Sequence, residues 1–214
     1  IQVHPTDEYA KTHENTLYGK SESWYFIEPP SEGWIYADSL IEDKKEIKRS
    51  ILNGDYESVV GKIIVSKDDV VYIPSGTLHA LTRGSLVYEI QQSTDITYRF
   101  FDYNRLDNDG KLRDLHLDDA IETLNTENRV KSSAFPKDTL VSEQPYTMVR
   151  KTLENVYHNT TDVAVAITVS KGSMCVDGHS ILAGMSILVL PDEAISISQA
   201  AEEVVIATPK LYFK

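Results

Sequence analysis

The chain has 214 residues and a net charge of −12, from 21 Lys and Arg against 33 Asp and Glu. At 41% apolar and 25% charged residues it has the length for one or two domains with a sizeable core. This charge argues against a nucleic-acid partner, which needs a basic face, and no apolar run approaches membrane-spanning length. A phosphorylated small molecule stays compatible with it, because a local Lys/Arg cluster can dominate a pocket. Cys175 is the lone cysteine, which excludes an internal disulfide framework and any CxxC metal site. It falls in a strand-like stretch and is expected to be buried and inert, in a reducing, cytoplasmic setting. The first residues are polar and charged and give no signal-peptide pattern. The chain opens without Met, and reads as part of a longer protein. The sequon Asn159-Thr160-Thr161 is read as a chance match.

In chain order, Ile1–Pro5 reads as a strand with Gln2 and His4 on one face. Ser39-Leu40-Ile41-Glu42 reads as a capping box opening a helix through Ile47, Ile51 and Leu52, stopped by Gly54. A short helix is predicted over Asp55–Val60. Strands follow over Lys62–Val65, Val70–Ile73, Thr77–Leu81, Ser85–Gln91 and Ile96–Tyr103. Asn108-Asp109-Gly110 is a turn, and Asp118–Glu122 a short helix. The polar stretch 131–145, with Pro136 and Pro145, reads as a connector. Beyond it, Val163–Val169, Met174–Val176, Ser180–Leu182, Ser186–Leu190, Ala194–Ser198 and Glu203–Thr208 recur at the cadence of a sandwich or small barrel.

The chemistry gathers in two segments, Gln2-Val3-His4 and Ile73-Pro74-Ser75-Gly76-Thr77-Leu78-His79, with Lys20-Ser21-Glu22 between them. They supply two imidazoles, a carboxylate and an amide, a ligand set suited to Zn²⁺ and neighbouring divalent ions, with Gln2 the least secure member. On the residues alone, each candidate also has a plainer reading. His79 could be a hydrogen-bonded structural histidine, Arg99 a strand-edge salt bridge and Lys20 a solvated surface lysine. Glu89 could be an arginine's buried partner. His116 reads as a helix-start residue without function, and His13, His158 and His179 as exposed. Trp24 and Tyr25 read as core packing.

Asp68–His79 resembles a motif of the cupin superfamily, with Asp68 where cupins usually carry Gly. Gln2-Val3-His4-Pro5, Gly19–Tyr25, Ile73–His79 and Gln91–Arg99 resemble, in that order, the type I mannose-6-phosphate isomerases, the short bacterial form above all. The likeness continues through Asp102-Tyr103-Asn104-Arg105 and Arg113-Asp114-Leu115-His116, to about residue 125. It implies a mainly β protein: a cupin-type β-barrel (jelly roll) with a few helices and a smaller C-terminal β-domain. The expected division is a metal-binding catalytic domain over 1–130, a connector over 131–145, and a β-sandwich or degenerate cupin over 146–214. Family members carry a segment ahead of Gln-Val-His-Pro that supplies barrel strands, so the resemblance also implies a barrel incomplete at its N-terminal side.

By the same resemblance Gln2, His4, Glu22 and His79 hold one Zn²⁺ per chain, and Arg99, Lys20 and Glu89 are the catalytic residues. The substrate is a sugar phosphate, mannose 6-phosphate passing to fructose 6-phosphate through a cis-enediol. The proton carrier is left open among Glu89, Lys20 and a metal-bound water, and the protein is expected as a monomer or homodimer. A non-catalytic cupin that binds a sugar or sugar phosphate is the alternative from another class. An iron-dependent cupin oxygenase fits less well, because such sites favour histidine-rich ligation.

Overall fold

In the computed structural model, which describes residues 1–211, the chain is mainly β and separates into two units, Ile1–Ala134 and the residues from Phe135 on. The elements of the first unit are β1 (Gln2–Val3), α1 (Asp7–His13), β2 (Glu22–Glu28), β3 (Trp34–Ser39), α2 (Lys44–Leu52), β4 (Val60–Ile64), β5 (Asp69–Ile73), β6 (His79–Ala80), β7 (Leu86–Gln91), β8 (Tyr98–Arg99), α3 (Leu117–Thr123) and β9 (Ser132–Ala134). They build two antiparallel sheets, ordered β4-β3-β6-β1-β8 and β7-β2-β5-β9. Trp24, Phe26, Val71 and Ile73 of one sheet pack on Ile35 and Ala37 of the other, so the inner faces meet. The outer face of the first sheet carries Val3, Tyr36 and Tyr98, with Ile47 and Ile51 of α2 and Ala120 of α3 packed over it. Burying each of the larger side chains contributes about 1.5–3 kcal/mol.

Register decides which side chains look inward. Gln2 lies opposite both His79 and Arg99, and His79 lies opposite Ala37. Directly opposed residues share a face, so Gln2, His79 and Arg99 form a row across three strands. On the facing sheet Glu22 lies opposite Gln91, and Trp24 opposite Glu89.

Three local expectations change. Ser39 ends β3, with its hydroxyl bonded to the Ile41 carbonyl, and α2 begins later, where the Asp43 carboxylate accepts from the Lys45 N–H. In place of the helix expected over Asp55–Val60, residues 55–59 form a turn and Val60 opens β4, since Val59 and Val60 are drawn into the core. The strand expected over Ile96–Tyr103 is only Tyr98–Arg99, because its partner β1 has two residues. Asp68, at the cupin glycine position, has φ +65°. An Asp tolerates this left-handed conformation, and its carboxylate also accepts from the Tyr25 hydroxyl at 2.9 Å.

The second unit contains β10 (Leu140–Ser142), β11 (Tyr146–Lys151), β12 (Asn155–His158), β13 (Val165–Lys171), β14 (Ser173–Val176), β15 (His179–Leu182), β16 (Ser186–Val189), β17 (Ala194–Gln199) and β18 (Glu203–Pro209). Its sheets are β10-β11-β18-β13-β16 and β12-β17-β14-β15, around a core of Ile167, Val169, Met174 and Val204. Thus the stretch 131–145 carries two short strands, β9 in one unit and β10 in the other. Asp177-Gly178, both at positive φ, make the two-residue turn between β14 and β15. Cys175 is half-buried instead of buried, because β14 alternates its faces. Asn159 is fully buried, donating to the carbonyls of Val163 and Val189, so the sequon is closed to modification in the folded chain. Among the described residues no helix is long and apolar enough to cross a membrane.

Gly19 precedes the Lys20-Ser21-Glu22 segment and lies against Pro5 and Thr6. A Cβ there would sit 2.2 Å from the Pro5 carbonyl oxygen. Gly19→Ala is therefore expected to destabilise the first unit by about 1–3 kcal/mol, read as a lower denaturant midpoint. An unchanged midpoint would show that the contact yields freely.

Candidate metal centre and its pocket

The two segments that carry histidines are tied together by backbone. Gly76, at φ +78°, donates its N–H to the His4 carbonyl at 2.7 Å. The turn is braced by the Thr77 hydroxyl on the Pro74 carbonyl and by Asn128 Nδ2 on Ser75 O and Thr77 Oγ1. Lys20-Ser21-Glu22 is held separately. Lys20 N–H donates to the Pro5 carbonyl, Ser21 N–H and Oγ–H donate to Gln92 Oε1, and Gln92 Nε2 donates to Asp7 Oδ1.

His4, Glu22 and His79 converge in a buried cluster, each about 1% exposed or less. Glu22 Oε2 is 3.3 Å from His4 Nε2, and Glu22 Oε1 is 3.2 Å from His79 Nε2. His4 Nδ1 lies 2.9 Å from the Ile96 carbonyl and His79 Nδ1 lies 2.8 Å from the Thr77 carbonyl. A carbonyl only accepts, so each Nδ1 carries the proton and each Nε2 turns a lone pair toward the carboxylate. Neither buried Glu22 oxygen then has a hydrogen-bond partner, and the one cation against them is the Lys20 ammonium, 3.3 Å from Oε2. Burial pushes the Glu22 carboxyl up; only charged imidazolium rings, donating from Nε2, would reverse this and hold it below the usual carboxylate range. Burial also lowers the His4 imidazole to about 4, with Glu22 opposing. Two lone pairs and a carboxylate facing one another, with protonation made costly, form the donor set of a divalent cation, and the backbone bonds at Nδ1 are the outer support such ligands need.

The amide end of Gln2 joins them, with its Nε2 3.2 Å from His79 Nε2 and 3.4 Å from His4 Nε2. An amide turned by 180° presents Oε1 there as a fourth ligand atom.

Lys20 is not a solvated surface lysine: it is 7% exposed, with Nζ 3.3 Å from Glu22 Oε2 and 4.0 Å from Glu89 Oε1. Glu89 sits on the open side, its side chain 37% exposed, and its partners are Lys20 and the Trp24 indole N–H, at 2.9 Å, instead of an arginine. Burial pushes its carboxyl above the usual range, the Glu22 charge adds to this, and Lys20 opposes it. Arg99 is half-buried and, among the described residues, pairs with no carboxylate. Its Nη1 donates to the Asp114 carbonyl at 3.4 Å, which leaves most of its donors for an anion. Trp24 packs edge-on against His79 while bonding Glu89, a dual role that core packing alone did not suggest. Gln92 is a further support that residue type did not reveal, although it falls inside a motif quoted above. His13, His158 and His179 are exposed.

No family model matches the chain. A probable mannose-6-phosphate isomerase, GmuF of Bacillus subtilis, is 44% identical over 124 residues, which are 58% of this chain and 39% of that protein. The mannose-6-phosphate isomerase ManA of the same organism is 43% identical over the same shares. The chain thus matches about two fifths of the length of these curated relatives. A solved mannose 6-phosphate isomerase from Bacillus subtilis superposes with a TM-score of 0.74 at 28% identity, covering 97% of this chain and 70% of that one. The likeness to mannose-6-phosphate isomerases read from the motifs is borne out, as is the mainly β fold.

The cluster predicts a specific loss of metal. His79→Ala should sharply lower the divalent metal bound at neutral pH, by elemental analysis of the purified chain. Full metal content in that variant would remove His79 from the site. In the metal-free chain, His4 binds its proton only near pH 4, whereas an unfolded histidine does so near 6.5. The unfolded state then holds more protons between those values, so apo stability should fall as pH drops from about 6.5 toward 4. A His4→Gln chain should lose that part of the pH dependence in denaturant melts.

Proposed function

From this kinship we propose that the chain carries the catalytic core of a mannose-6-phosphate isomerase and interconverts mannose 6-phosphate and fructose 6-phosphate. The observation that carries the reading is the buried His4–Glu22–His79 cluster, with Lys20, Glu89 and Arg99 disposed around one inner face. His4, Glu22, His79 and Gln2 would hold one Zn²⁺ per chain, a redox-inert Lewis acid that polarises substrate oxygens. The reaction is redox-neutral: a proton moves from C2 to C1 and a hydroxyl proton from O2 to O1, by way of a cis-enediol.

Glu89 is the proton carrier in this reading. Its position on the open side gives it access to substrate carbon, and its raised carboxyl is closer to neutral pH than an ordinary glutamate. Trp24 holds one of its oxygens, leaving the other to work. The Lys20 ammonium sits between Glu22 and Glu89 and balances their charges. Arg99 keeps its charge throughout, so it binds and stabilises, pairing with the enediolate or the phosphate.

A coupled assay for fructose 6-phosphate tests the proposal. Arg99→Ala should retain metal and lose about 10²–10³-fold in kcat, the usual cost of removing a preorganised charge donor. Wild-type turnover in Arg99→Ala would take that residue out of the reaction. Glu89→Gln should be the more damaging change, because it removes the proton carrier itself. An unaffected Glu89→Gln would hand that role to Lys20 or a water.

A further inference from the structure

We propose that His116 is a positioning residue that fixes Arg99 in the pocket. What Arg99 does there rests on the isomerase reading; the link between the two residues does not. β8 is the edge strand of its sheet, with β1 on one side only. On the other side, both backbone groups of Arg99 meet His116. The Arg99 N–H donates to His116 Nδ1 at 3.2 Å, and the His116 N–H donates to the Arg99 carbonyl at 2.9 Å. One residue thus closes the strand edge at the position whose side chain shares a face with Gln2 and His79. Unpaired edge groups are free to open, and Tyr98–Arg99 is only two residues long.

The ring is not there to cap its own helix. His116 occupies the N-cap of α3, yet its side chain makes no capping bond. Its carbonyl accepts from Ala120 N–H at 2.9 Å, and Ala120 is buried in the core, so the helix start is anchored. From that anchor the imidazole turns toward β8 with Nδ1 as acceptor and the proton on Nε2. Two residues earlier the Asp114 carbonyl takes the Arg99 Nη1. The segment 114–116 therefore grips Arg99 at backbone and guanidinium. A guanidinium displaced by about 1 Å from a developing charge can cost as much as 10²-fold in rate.

The test compares His116→Leu, which keeps bulk without an acceptor, with His116→Asn, whose Oδ1 falls close to the place of Nδ1. Three quantities are read on the Zn²⁺-loaded chain: exchange of the Arg99 amide proton with solvent, kcat for mannose 6-phosphate, and metal content. In His116→Leu, the amide should exchange at least about 10-fold faster and kcat should fall roughly 10-fold to 100-fold, with metal content unchanged. His116→Asn should restore both within about threefold. Unaltered amide exchange or unaltered turnover in His116→Leu overturns the proposal, and so does a His116→Asn as impaired as His116→Leu. If His116→Leu does not fold, His116→Gln, whose amide lies one bond farther out, takes its place. Should the wild-type chain itself show no turnover, the isomerase reading fails, while the exchange comparison still decides whether His116 holds Arg99.

Discussion

The first unit is organised around an electrostatic conflict. His4 and His79 each commit Nδ1 to a backbone carbonyl, which leaves two Nε2 lone pairs 3.2–3.3 Å from the oxygens of one buried carboxylate. The two lone pairs and the carboxylate repel one another, and the Lys20 ammonium, 3.3 Å from Glu22 Oε2, meets only one side of the carboxylate. Protonating the rings would relieve the repulsion, but burial makes that costly for His4. A divalent cation between them would remove the conflict at neutral pH, and the surrounding backbone bonds hold the three side chains in that arrangement.

That placement comes from short connections more than from long strands. Gly76 and the Pro74–Thr77 turn carry the His79 segment onto the His4 carbonyl, while Gly19 lets the Lys20-Ser21-Glu22 segment approach Pro5 within hydrogen-bond reach. Both are positions where a side chain would collide or strain. The sheets supply the rest. Inward residues of β1, β6 and β8 present Gln2, His79 and Arg99, and inward residues of β2 and β7 present Glu22, Trp24 and Glu89.

Some of this was legible in the sequence for physical reasons. The ligand types and the Pro-Ser-Gly turn before His79 carried enough chemistry to point to a metal, and the short apolar runs of the second unit gave its strand cadence. Other features were hidden. β2 is buried on both faces, so Glu22–Glu28 shows no alternation, and neither it nor β3 was expected. Ser39 fits a capping pattern but is bound into the end of a strand, and Asp43 does the capping. Lys20 and His116 read as ordinary surface and helix-start residues because their partners, Glu22 at Nζ and the backbone of Arg99 at Nδ1, are set by tertiary contacts. Cupins usually carry glycine where Asp68 stands, and the positive φ there is what a glycine would serve.

The most direct test strips the chain of metal and adds Zn²⁺ back in steps, following bound metal and isomerisation of mannose 6-phosphate on the same samples. Binding and turnover should rise together and level off at one equivalent per chain. Turnover that persists in the stripped chain, or a chain that takes up no Zn²⁺ at neutral pH, would contradict the account.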